Sequence, residues 1–434
     1  GCPDRIYLLA SIIFQNTHPD KPASRRFVNY GNKRRVPLPE VKSEEQRRAY
    51  ELAFNTLKYQ GFLEAIITDS FRVAPPMSND NMSLFVVMLY DFQKRKFLPR
   101  QRWEKAESIA TVALVEKVIL GFKTKLAASV ARHRIKHHLV SVDSFLPETV
   151  KIKQERSGRL PIYAWVNTLK SSPGEVQQVL TSAGFSQVNS IGQLVDGTFC
   201  WDRHCTDTLV FPACCRSQLH STGLLSDHKL AIQDKSCGLG PNAVFSLLPE
   251  DGDVLLAGRF SGLTVSHTAA LIARQPPRVY VCVSDHTDAQ RAELQETVTA
   301  MGCKNVTLIP EDFQSLAGMD KRLQDLRVIL LNPKCSLSAV SDPVEIILQE
   351  HRDPDLLQDL SQGSIGPQKL TALVLEQRKA IDHALMFPEV LAVVYATYSS
   401  YAEENEKVVK GALQTFKRGN QKQPASGELL HLCV

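Results

Sequence analysis

The chain has 434 residues, of which 43% are hydrophobic and 22% charged, and its formal net charge is +5. This composition excludes a largely disordered or fibrous protein, and the length allows two or three domains with separate cores. The longest early apolar run, from Ile6 to Phe14, is far shorter than the roughly 20 residues that cross a bilayer, so no membrane partner is expected. No secretory signal is evident, and because the chain begins with Gly1 rather than Met, we expect an upstream segment to be missing.

The positive charge is concentrated in the first third of the chain. Residues 1–150 hold 24 Lys and Arg against 15 Asp and Glu, an excess of nine, which leaves the remainder with a net charge of −4. Basic surfaces attract phosphate backbones, but solvated helix faces are also basic. The charge therefore favours a nucleic-acid partner only slightly.

The ten cysteines form no Cys-x-x-Cys pair, and a chain of this size needs no disulfide staples. We interpret them as reduced thiols of an intracellular protein, in the nucleus or the cytoplasm. One group is dense enough to suggest zinc, but its spacings match no common ligand set, so no metal is expected. Its members are Cys200, His204, Cys205, Cys214 and Cys215.

Helical periodicity dominates the N-terminal third after an irregular start. Residues 1–45 are basic and Pro-rich with little periodicity, and we expect them to be loosely ordered. Apolar spacing then predicts helices over Glu45–Ser70, Leu84–Phe92 and Glu104–His138. The last of these ends in a cluster of Lys, Arg and His, which either complements the helix dipole or forms an RNA-facing patch.

A small α+β module is predicted next. The pattern of Leu160–Lys170 predicts a strand. Ser172-Pro173-Gly174-Glu175 has the Pro and Glu that are typical of the first turn of a helix. Further short strands follow. We place this module at residues 149–218, after a helical extension at 1–148 and before a third domain at 219–434.

Strands and helices alternate in the third domain, which predicts parallel strands with crossover helices and a sheet covered on both faces. The predicted strands are Val254–Ala257, Val279–Val283, Val306–Ile309, Val328–Leu331 and Ala392–Ala396. The predicted helices are Thr264–Ala273, Asp288–Met301 and Gln368–Met386. Such an α/β, Rossmann-like fold binds ligands at the carboxyl ends of its strands.

The last predicted strand carries the most specific motif. It runs into Thr397-Tyr398-Ser399 and then Glu403-Glu404-Asn405-Glu406. This resembles the signature of the Sun-domain RNA cytosine-5 methyltransferases, Thr-Cys-Ser followed by Glu-Glu-Asn-Glu, with tyrosine in place of the cysteine. Asn332-Pro333-Lys334-Cys335-Ser336 resembles the same family's Asp-x-Pro-Cys-Ser, and Gln233-Asp234-Lys235-Ser236 resembles its entry motif.

The resemblance implies S-adenosylmethionine as cofactor and RNA as partner. It places Asp285 against the ribose hydroxyls and Asp312 at the adenine end, with Asn332 beside the cofactor and the target ring. Only Gly262 remains of the glycine-rich loop that wraps the methionine part, where Leu263 and Thr264 now stand, and Leu256 replaces the acid before that loop. Trp165 stands where the family often has Arg, and it is either a stacking face for RNA or a core residue.

The implied chemistry needs a thiolate that adds to carbon 6 of cytosine and so activates carbon 5 for methylation. Tyr398 cannot supply it, because a phenol is bulkier and has a reference pKa of about 10 against about 8.5 for cysteine. Cys335 stands at the family's second cysteine, which aids product release. We hypothesise that it substitutes as the nucleophile.

Three readings remain open. The chain is an RNA cytosine-5 methyltransferase with impaired transfer, or a catalytically inactive pseudoenzyme that binds RNA or a protein partner, or an unrelated α/β protein whose motif matches are accidental. Replacements at Leu256, Leu263, Thr264, Asn332 and Tyr398 favour impaired catalysis. The chain ends at Val434, before the closing strands that such folds usually have, so we expect the C-terminal end to be truncated.

Overall fold

The computed structural model describes residues 1–18, 28–31, 36, 39, 43–72, 76–100, 108–273, 278–350 and 353–419. Within these residues, no helix is both long and apolar enough to cross a membrane. The chain divides into two compact units. The first comprises residues 1–155, 342–345 and 353–365, and the second comprises residues 156–341, 346–352 and 366–434.

The first unit is helical. Its helices in chain order are α1 Asp4–Thr17, α2 Ser43–Lys58, α3 Gln60–Ser70, α4 Met82–Lys94, α5 Ala110–Gly121, α6 Lys123–Lys136 and α7 Glu148–Ser157, the last of which ends just past its boundary. Helix α1 packs on α2 and α4, and α6 packs on α3. The predicted helices at Glu45–Ser70 and Leu84–Phe92 are confirmed, the first as two consecutive helices.

The expectation that residues 1–45 are loosely ordered is wrong for α1. Ile6, Leu9, Ile13 and Phe14 of this helix are all at most 2% exposed. The less buried strip of this helix, Arg5, Leu8, Ile12 and Gln15, includes two apolar residues, so apolar and polar faces are poorly separated in the sequence. The Lys33-Arg34-Arg35 cluster lies outside the described residues.

The long helix predicted at Glu104–His138 is two helices, and residues 101–107 lie outside the described part. Helix α5 ends at Gly121, and Phe122 between the helices has φ −107° and ψ 12°, which is not helical. Phe122 packs edge-on against Phe71, with ring centroids 5.0 Å apart. The pattern could not reveal this break because apolar residues continue across it.

The second unit begins with the small α+β module. Its elements are β1 Ile162–Val166, α8 Pro173–Ser182, β2 Ser186–Gln187, β3 Thr198–Trp201, β4 Thr208–Phe211, α9 Arg216–Ser221 and β5 Leu230–Ile232. The strands form one sheet in the order β2-β3-β4-β1-β5. The Ser172 side chain caps α8 by accepting the N–H of Glu175, as the predicted helix start requires.

A domain built on a five-stranded parallel sheet follows. Its elements are α10 Lys235–Leu247, β6 Asp253–Gly258, α11 Gly262–Ile272, β7 Val279–Cys282, α12 Asp288–Ala300, β8 Val306–Ile309, β9 Leu326–Asn332, α13 Pro343–Gln349, α14 Leu356–Gln362, α15 Pro367–Ala384, β10 Ala392–Tyr395 and α16 Val408–Gly419, with α14 belonging to the first unit. The strand order is β10-β9-β6-β7-β8, and every pairing is parallel. The predicted Rossmann-like fold, with its small module and helical extension, is confirmed.

Alternate residues of these strands enter two cores. Leu256, Val281 and Val394 pack with α10, α11 and α12 on one face. Leu255 and Tyr395 pack with α15 and α16 on the other. Both faces are covered, which explains why the strands read as continuous apolar runs in the sequence.

A buried polar cluster fixes the small module to the sheet domain. Trp165 of β1 is 2% exposed and stacks on His267 of α11, with ring centroids 4.4 Å apart and planes 7° apart. His267 Nε2 lies 2.6 Å from a carboxylate oxygen of Asp207. The core alternative for Trp165 is therefore confirmed, and the stacking face for RNA is wrong because the ring is covered on this side by a histidine.

Asp207→Asn should lower the free energy of unfolding at neutral pH by about 2–4 kcal/mol, because it removes one partner of a buried pair. Burial alone would raise the pKa of Asp207, but the hydrogen bond and charge of His267 outweigh it and lower that pKa. The stabilisation is therefore complete at pH values above the unfolded-state pKa of about 3.9. It is lost as the pH falls through the lower pKa of Asp207 in the folded state.

Urea unfolding of both proteins across this pH range measures the difference. Asp227→Asn, at an exposed acid of the same module, is the control and should leave stability nearly unchanged. An Asp207→Asn deficit that persists undiminished at the lowest pH would contradict the assignment.

Candidate functional site

The candidate site lies at the carboxyl edge of the parallel sheet, where the strand order reverses between β6 and β9. The two strand ends approach closely there. Gly258 has φ +119°, and a Cβ built on it would lie 2.1 Å from the carbonyl oxygen of Asn332. The N–H of Arg259 donates to that same oxygen over 2.9 Å. Glycine is therefore required at the tip of β6.

Tyr398 and Cys335, from the tips of β10 and β9, are in direct contact. The backbone N–H of Tyr398 donates to Cys335 Sγ over 3.4 Å, and the phenol hydroxyl donates to Cys237 Sγ of α10, also over 3.4 Å. Cys335 and Cys237 are each 2% exposed, and Tyr398 is 6% exposed. The tyrosine thus spans two buried thiols.

A buried carboxylate holds these two strand tips together. Glu404 is 0% exposed and accepts the backbone N–H of Ser336 over 3.0 Å and the amide of Gln377 over 2.9 Å. Its second oxygen accepts the hydroxyls of Ser336 and Ser399. Because Ser336 follows Cys335 and Ser399 follows Tyr398, this one side chain fixes both loops. We did not single out Glu404 from the sequence, although it lies within the Glu-Glu-Asn-Glu motif.

Asn405, in the turn of helix at Glu403–Lys407, donates its amide to the carbonyl of Ser399 over 2.8 Å. The backbone of the loop after Cys335 is strained, because Leu337 has φ +54°, which is rare for a leucine. Strain of this kind persists only where surrounding contacts impose it, and it is common at functional sites.

A cleft of about 180 Å³ opens beside Tyr398. Its polar lining includes Asp234 and Ser236 at the start of α10, and Thr397. Apolar and small residues complete it, namely Leu160, Ala339, Val340 and Ser341. Cys335 is not among the lining residues. An engineered cavity of about 150 Å³ holds a benzene ring, so this volume suits one flat ring.

Two acceptors, at the ends of the strands on either side of β6, lack hydrogen-bond partners within the described residues. Asn332 is 3% exposed, and while its amide nitrogen lies 3.3 Å from the carbonyl of Arg259, its side-chain oxygen has no hydrogen bond there. Asp285, just past β7, is exposed, and the structure shows no hydrogen bond to it. A buried amide oxygen without a donor is costly and points to a missing ligand or water.

Gly262 and Asp312 have structural explanations of their own. A Cβ on Gly262 would lie 2.5 Å from Thr297 Cβ, so this glycine permits the close packing of α11 on α12. Asp312 is exposed and caps a short turn by accepting the N–H of Gln314 over 3.2 Å. Neither lines the cleft beside Tyr398.

The N-terminus of α11 holds a carboxylate that no local sequence pattern predicts. Glu350, which is 0% exposed, accepts the Ser261 hydroxyl over 2.9 Å, the Thr264 hydroxyl over 3.0 Å and the Gln233 amide over 2.7 Å. Gln233 in turn accepts the indole N–H of Trp165 over 2.9 Å. A helix N-terminus favours an anion, and here the chain itself supplies one.

Similarity to known proteins extends over the whole chain. The human protein named "Putative methyltransferase NSUN7" is 43% identical over 437 aligned positions, which cover 100% of this chain and 61% of that protein. The fission yeast 25S rRNA (cytosine-C(5))-methyltransferase rcm1 is 28% identical over 85% of this chain and 72% of its own length. The chain is therefore similar over its whole length to Sun-domain methyltransferases.

The chain spans about three fifths of the length of the human relative. No family model matches it. Among solved structures, the one titled "Crystal Structure of PH0851" superposes with a TM-score of 0.54 at 16% identity, covering 86% of this chain and 82% of its own. At that identity the likeness supports the fold alone.

The methyl donor of the Sun-domain family is S-adenosylmethionine. The unpaired oxygen of Asn332 and the exposed carboxylate of Asp285 fit such a ligand, because a carboxylate can accept from both hydroxyls of a ribose. These two residues flank the tip of β6 at the reversal of strand order, where Rossmann-like sheets bind nucleosides. The N-terminus of α11 differs, since Glu350 already occupies it.

Proposed function

We propose that this chain binds RNA, takes a single pyrimidine base into the cleft beside Tyr398, and is impaired in methyl transfer to cytosine. One observation carries the proposal: Tyr398, at the position where the resemblance expects the nucleophile, has its hydroxyl bonded to one buried thiol and its N–H bonded to another. The relatives named as cytosine-C(5) methyltransferases act on rRNA, and their chemistry supports RNA as the partner here.

The polar lining of the cleft supports a base as its occupant. Asp234 offers an acceptor and Ser236 and Thr397 offer hydroxyls, which can pair with the amide-like edge of a pyrimidine. The side-chain oxygen of Asp234 is partly engaged, because it accepts the N–H of Ser236 over 2.8 Å. This bond steadies the start of α10, so the wall of the cleft is held in place before a base arrives.

The exposed basic face of α6 supports an RNA surface in the first unit. Lys123 and Lys136 are exposed, and neither an ion pair nor a hydrogen bond is seen for them in the described structure. Lys125 is also exposed, but its Nζ lies 5.4 Å from the centroid of the Phe71 ring. Arg132 is held by Asp69 over 2.6 Å. A lysine without an ion-pair partner can bind a phosphate without first breaking an existing ion pair.

Impairment follows from what each side chain can do. S-adenosylmethionine, when bound, supplies an electrophilic methyl group, and the cytosine must be activated by a nucleophile. The Tyr398 hydroxyl points to Cys237 and is a poor carbon nucleophile. Cys335 is buried and accepts the Tyr398 N–H, so it reaches a base only if this contact opens. We retain Cys335 as the hypothetical substitute nucleophile.

A second function, a pseudoenzyme that binds RNA or a protein without cofactor, is favoured by the Glu350 network at α11. Calorimetry with S-adenosylmethionine separates the two. Micromolar binding that weakens at least about tenfold in Asp285→Asn supports the impaired enzyme, since the charged acceptor for the ribose is lost. Absence of binding at millimolar ligand supports the pseudoenzyme.

Tyr398→Cys is the decisive variant for methyl transfer. It restores a thiol at the nucleophile position, and we expect transfer of radiolabelled methyl to cytosine in RNA to rise by at least about tenfold over the wild-type chain. Tyr398→Ser is the matched control, because it makes the same space without a competent nucleophile. Wild-type transfer as fast as that of Tyr398→Cys would contradict impairment, and residual transfer unchanged in Cys335→Ala would remove Cys335 from the mechanism.

A further inference from the structure

Three potential metal ligands from two separate turns lie close together in the small module. Cys214 and Cys215 lie in the turn between β4 and α9, and Asp196 lies in the turn before β3. Their donor atoms all lie within 4.8 Å of one another. Neither Asp196 nor these cysteines takes part in the site beside Tyr398.

The distances within this group match a coordination polyhedron. Cys214 Sγ lies 3.5 Å and Cys215 Sγ 3.6 Å from the same oxygen of Asp196. For a tetrahedral zinc ion with sulfur at ~2.3 Å and a carboxylate oxygen at ~2.1 Å, trigonometry gives a sulfur–oxygen separation of about 3.6 Å. The two sulfur–oxygen separations therefore already match those that one ion would impose.

One backbone donor is directed at the buried cysteine of this group. The backbone N–H of Gly197, next to Asp196, donates to Cys215 Sγ over 3.4 Å. Gly197 has φ +71°, a left-handed conformation that directs this N–H into the group. Hydrogen bonds donated to a ligating side chain orient it and stabilise its charge. Cys215 is 1% exposed, while Cys214 and Asp196 are exposed, so an ion can enter from solvent.

We propose that Asp196, Cys214 and Cys215 form a zinc site that joins the turn before β3 to the turn after β4. The ion takes two thiolates and one carboxylate oxygen, the two thiol protons pass to solvent, and water fills the fourth position. Asp196 is the ligand that the spacing of the cysteines and His204 could not reveal, because it is 18 residues from Cys214 and belongs to no cysteine motif.

Cobalt(II) reports on this site directly, since a thiolate–cobalt bond gives a charge-transfer band in the near ultraviolet and tetrahedral geometry gives strong visible bands. The reduced, metal-free 434-residue chain is titrated with Co²⁺ and then with Zn²⁺. We expect one equivalent of Co²⁺ to produce both bands and Zn²⁺ to abolish them. Cys214→Ser and Cys215→Ser should each reduce the charge-transfer band by about half, because one of two thiolates is lost. Each should also weaken Co²⁺ binding more than about 100-fold, which exceeds the effect of losing a hydrogen-bond partner of a ligand.

Asp196→Asn separates the carboxylate from the thiolates. It should retain the charge-transfer band at saturation while binding Co²⁺ more weakly. Cys303→Ser is the matched control, because Cys303 is a half-buried thiol on another part of the second unit. Circular dichroism of each metal-free variant checks the fold, and the exposed Cys214 is tolerant of replacement even if the buried Cys215 is not.

The proposal is overturned if no charge-transfer band forms, if the band survives intact in Cys214→Ser, or if Cys303→Ser removes it equally. Binding that is unaffected by Asp196→Asn would overturn the assignment of Asp196. The zinc site is independent of the function proposed above, so methyl-transfer results do not bear on it.

Discussion

Glu404→Ala should lower the free energy of unfolding of the second unit by about 4 kcal/mol. The buried carboxylate accepts four hydrogen bonds, from the Ser336 N–H, the Gln377 amide and the hydroxyls of Ser336 and Ser399. Hydroxyls can turn elsewhere, but the N–H and the amide lose their acceptor inside the protein, at about 1–3 kcal/mol each. Urea unfolding followed by tryptophan fluorescence measures the loss.

Two further variants sharpen this result. Glu404→Gln should recover much of the stability, because its carbonyl oxygen can serve the two nitrogen donors while the serine hydroxyls turn to accept from its NH₂. Glu403→Ala removes the neighbouring exposed acid, which contacts only Lys407, and should have little effect. Equal effects at positions 403 and 404 would refute the anchoring role of Glu404.

Gly258→Ala should be still more damaging, with a cost of at least about 4 kcal/mol and a fall in Tm of at least about 8 °C. The added Cβ would lie 2.1 Å from the carbonyl oxygen of Asn332, and the residue would have to keep φ at +119°. The oxygen belongs to the backbone of β9, and the new Cβ is attached directly to the backbone of β6. Because these strands are paired, no side-chain movement can make room. Differential scanning calorimetry measures the shift.

Gly174→Ala is the matched control for this substitution. Gly174 lies in the first turn of α8, has an ordinary φ, and nothing would lie within 4 Å of a new Cβ. Alanine should therefore be neutral there or stabilise the helix by up to about 1 kcal/mol. A Gly258→Ala protein as stable as Gly174→Ala would show that the tips of β6 and β9 are further apart than described.

Continuous apolar runs made the parallel sheet predictable. Each of the five predicted strands overlaps an observed one, and Val306–Ile309 agrees at both ends. Buried parallel strands are nearly uniform in hydrophobicity, so they stand out from amphipathic helices. Helix α1 was missed because Leu8 and Ile12 lie on its less buried strip, so no continuous polar face marks its period.

The candidate site was predictable only where a motif lies on one strand. The tips of β9 and β10 pair in parallel, so Cys335 and Tyr398 had to meet once the strand order was known. Glu350 is different. It reaches the N-terminus of α11 from 86 residues away in the sequence, and no local pattern encodes such a contact. The roles of Cys335, Asn332, Asp285, Gly262 and Asp312 toward a cofactor or base stay predictions.

The placement of Tyr398 between two sulfur atoms has a consequence for redox chemistry. A disulfide needs its sulfurs about 2 Å apart, whereas Cys335 and Cys237 touch opposite ends of one tyrosine, its backbone nitrogen and its phenol oxygen. Both sulfur atoms are engaged by Tyr398, and each cysteine is only 2% exposed, so oxidants in solvent have little access to them. We expect a small residue at position 398 to open this packing and to raise the reactivity of both thiols toward peroxide.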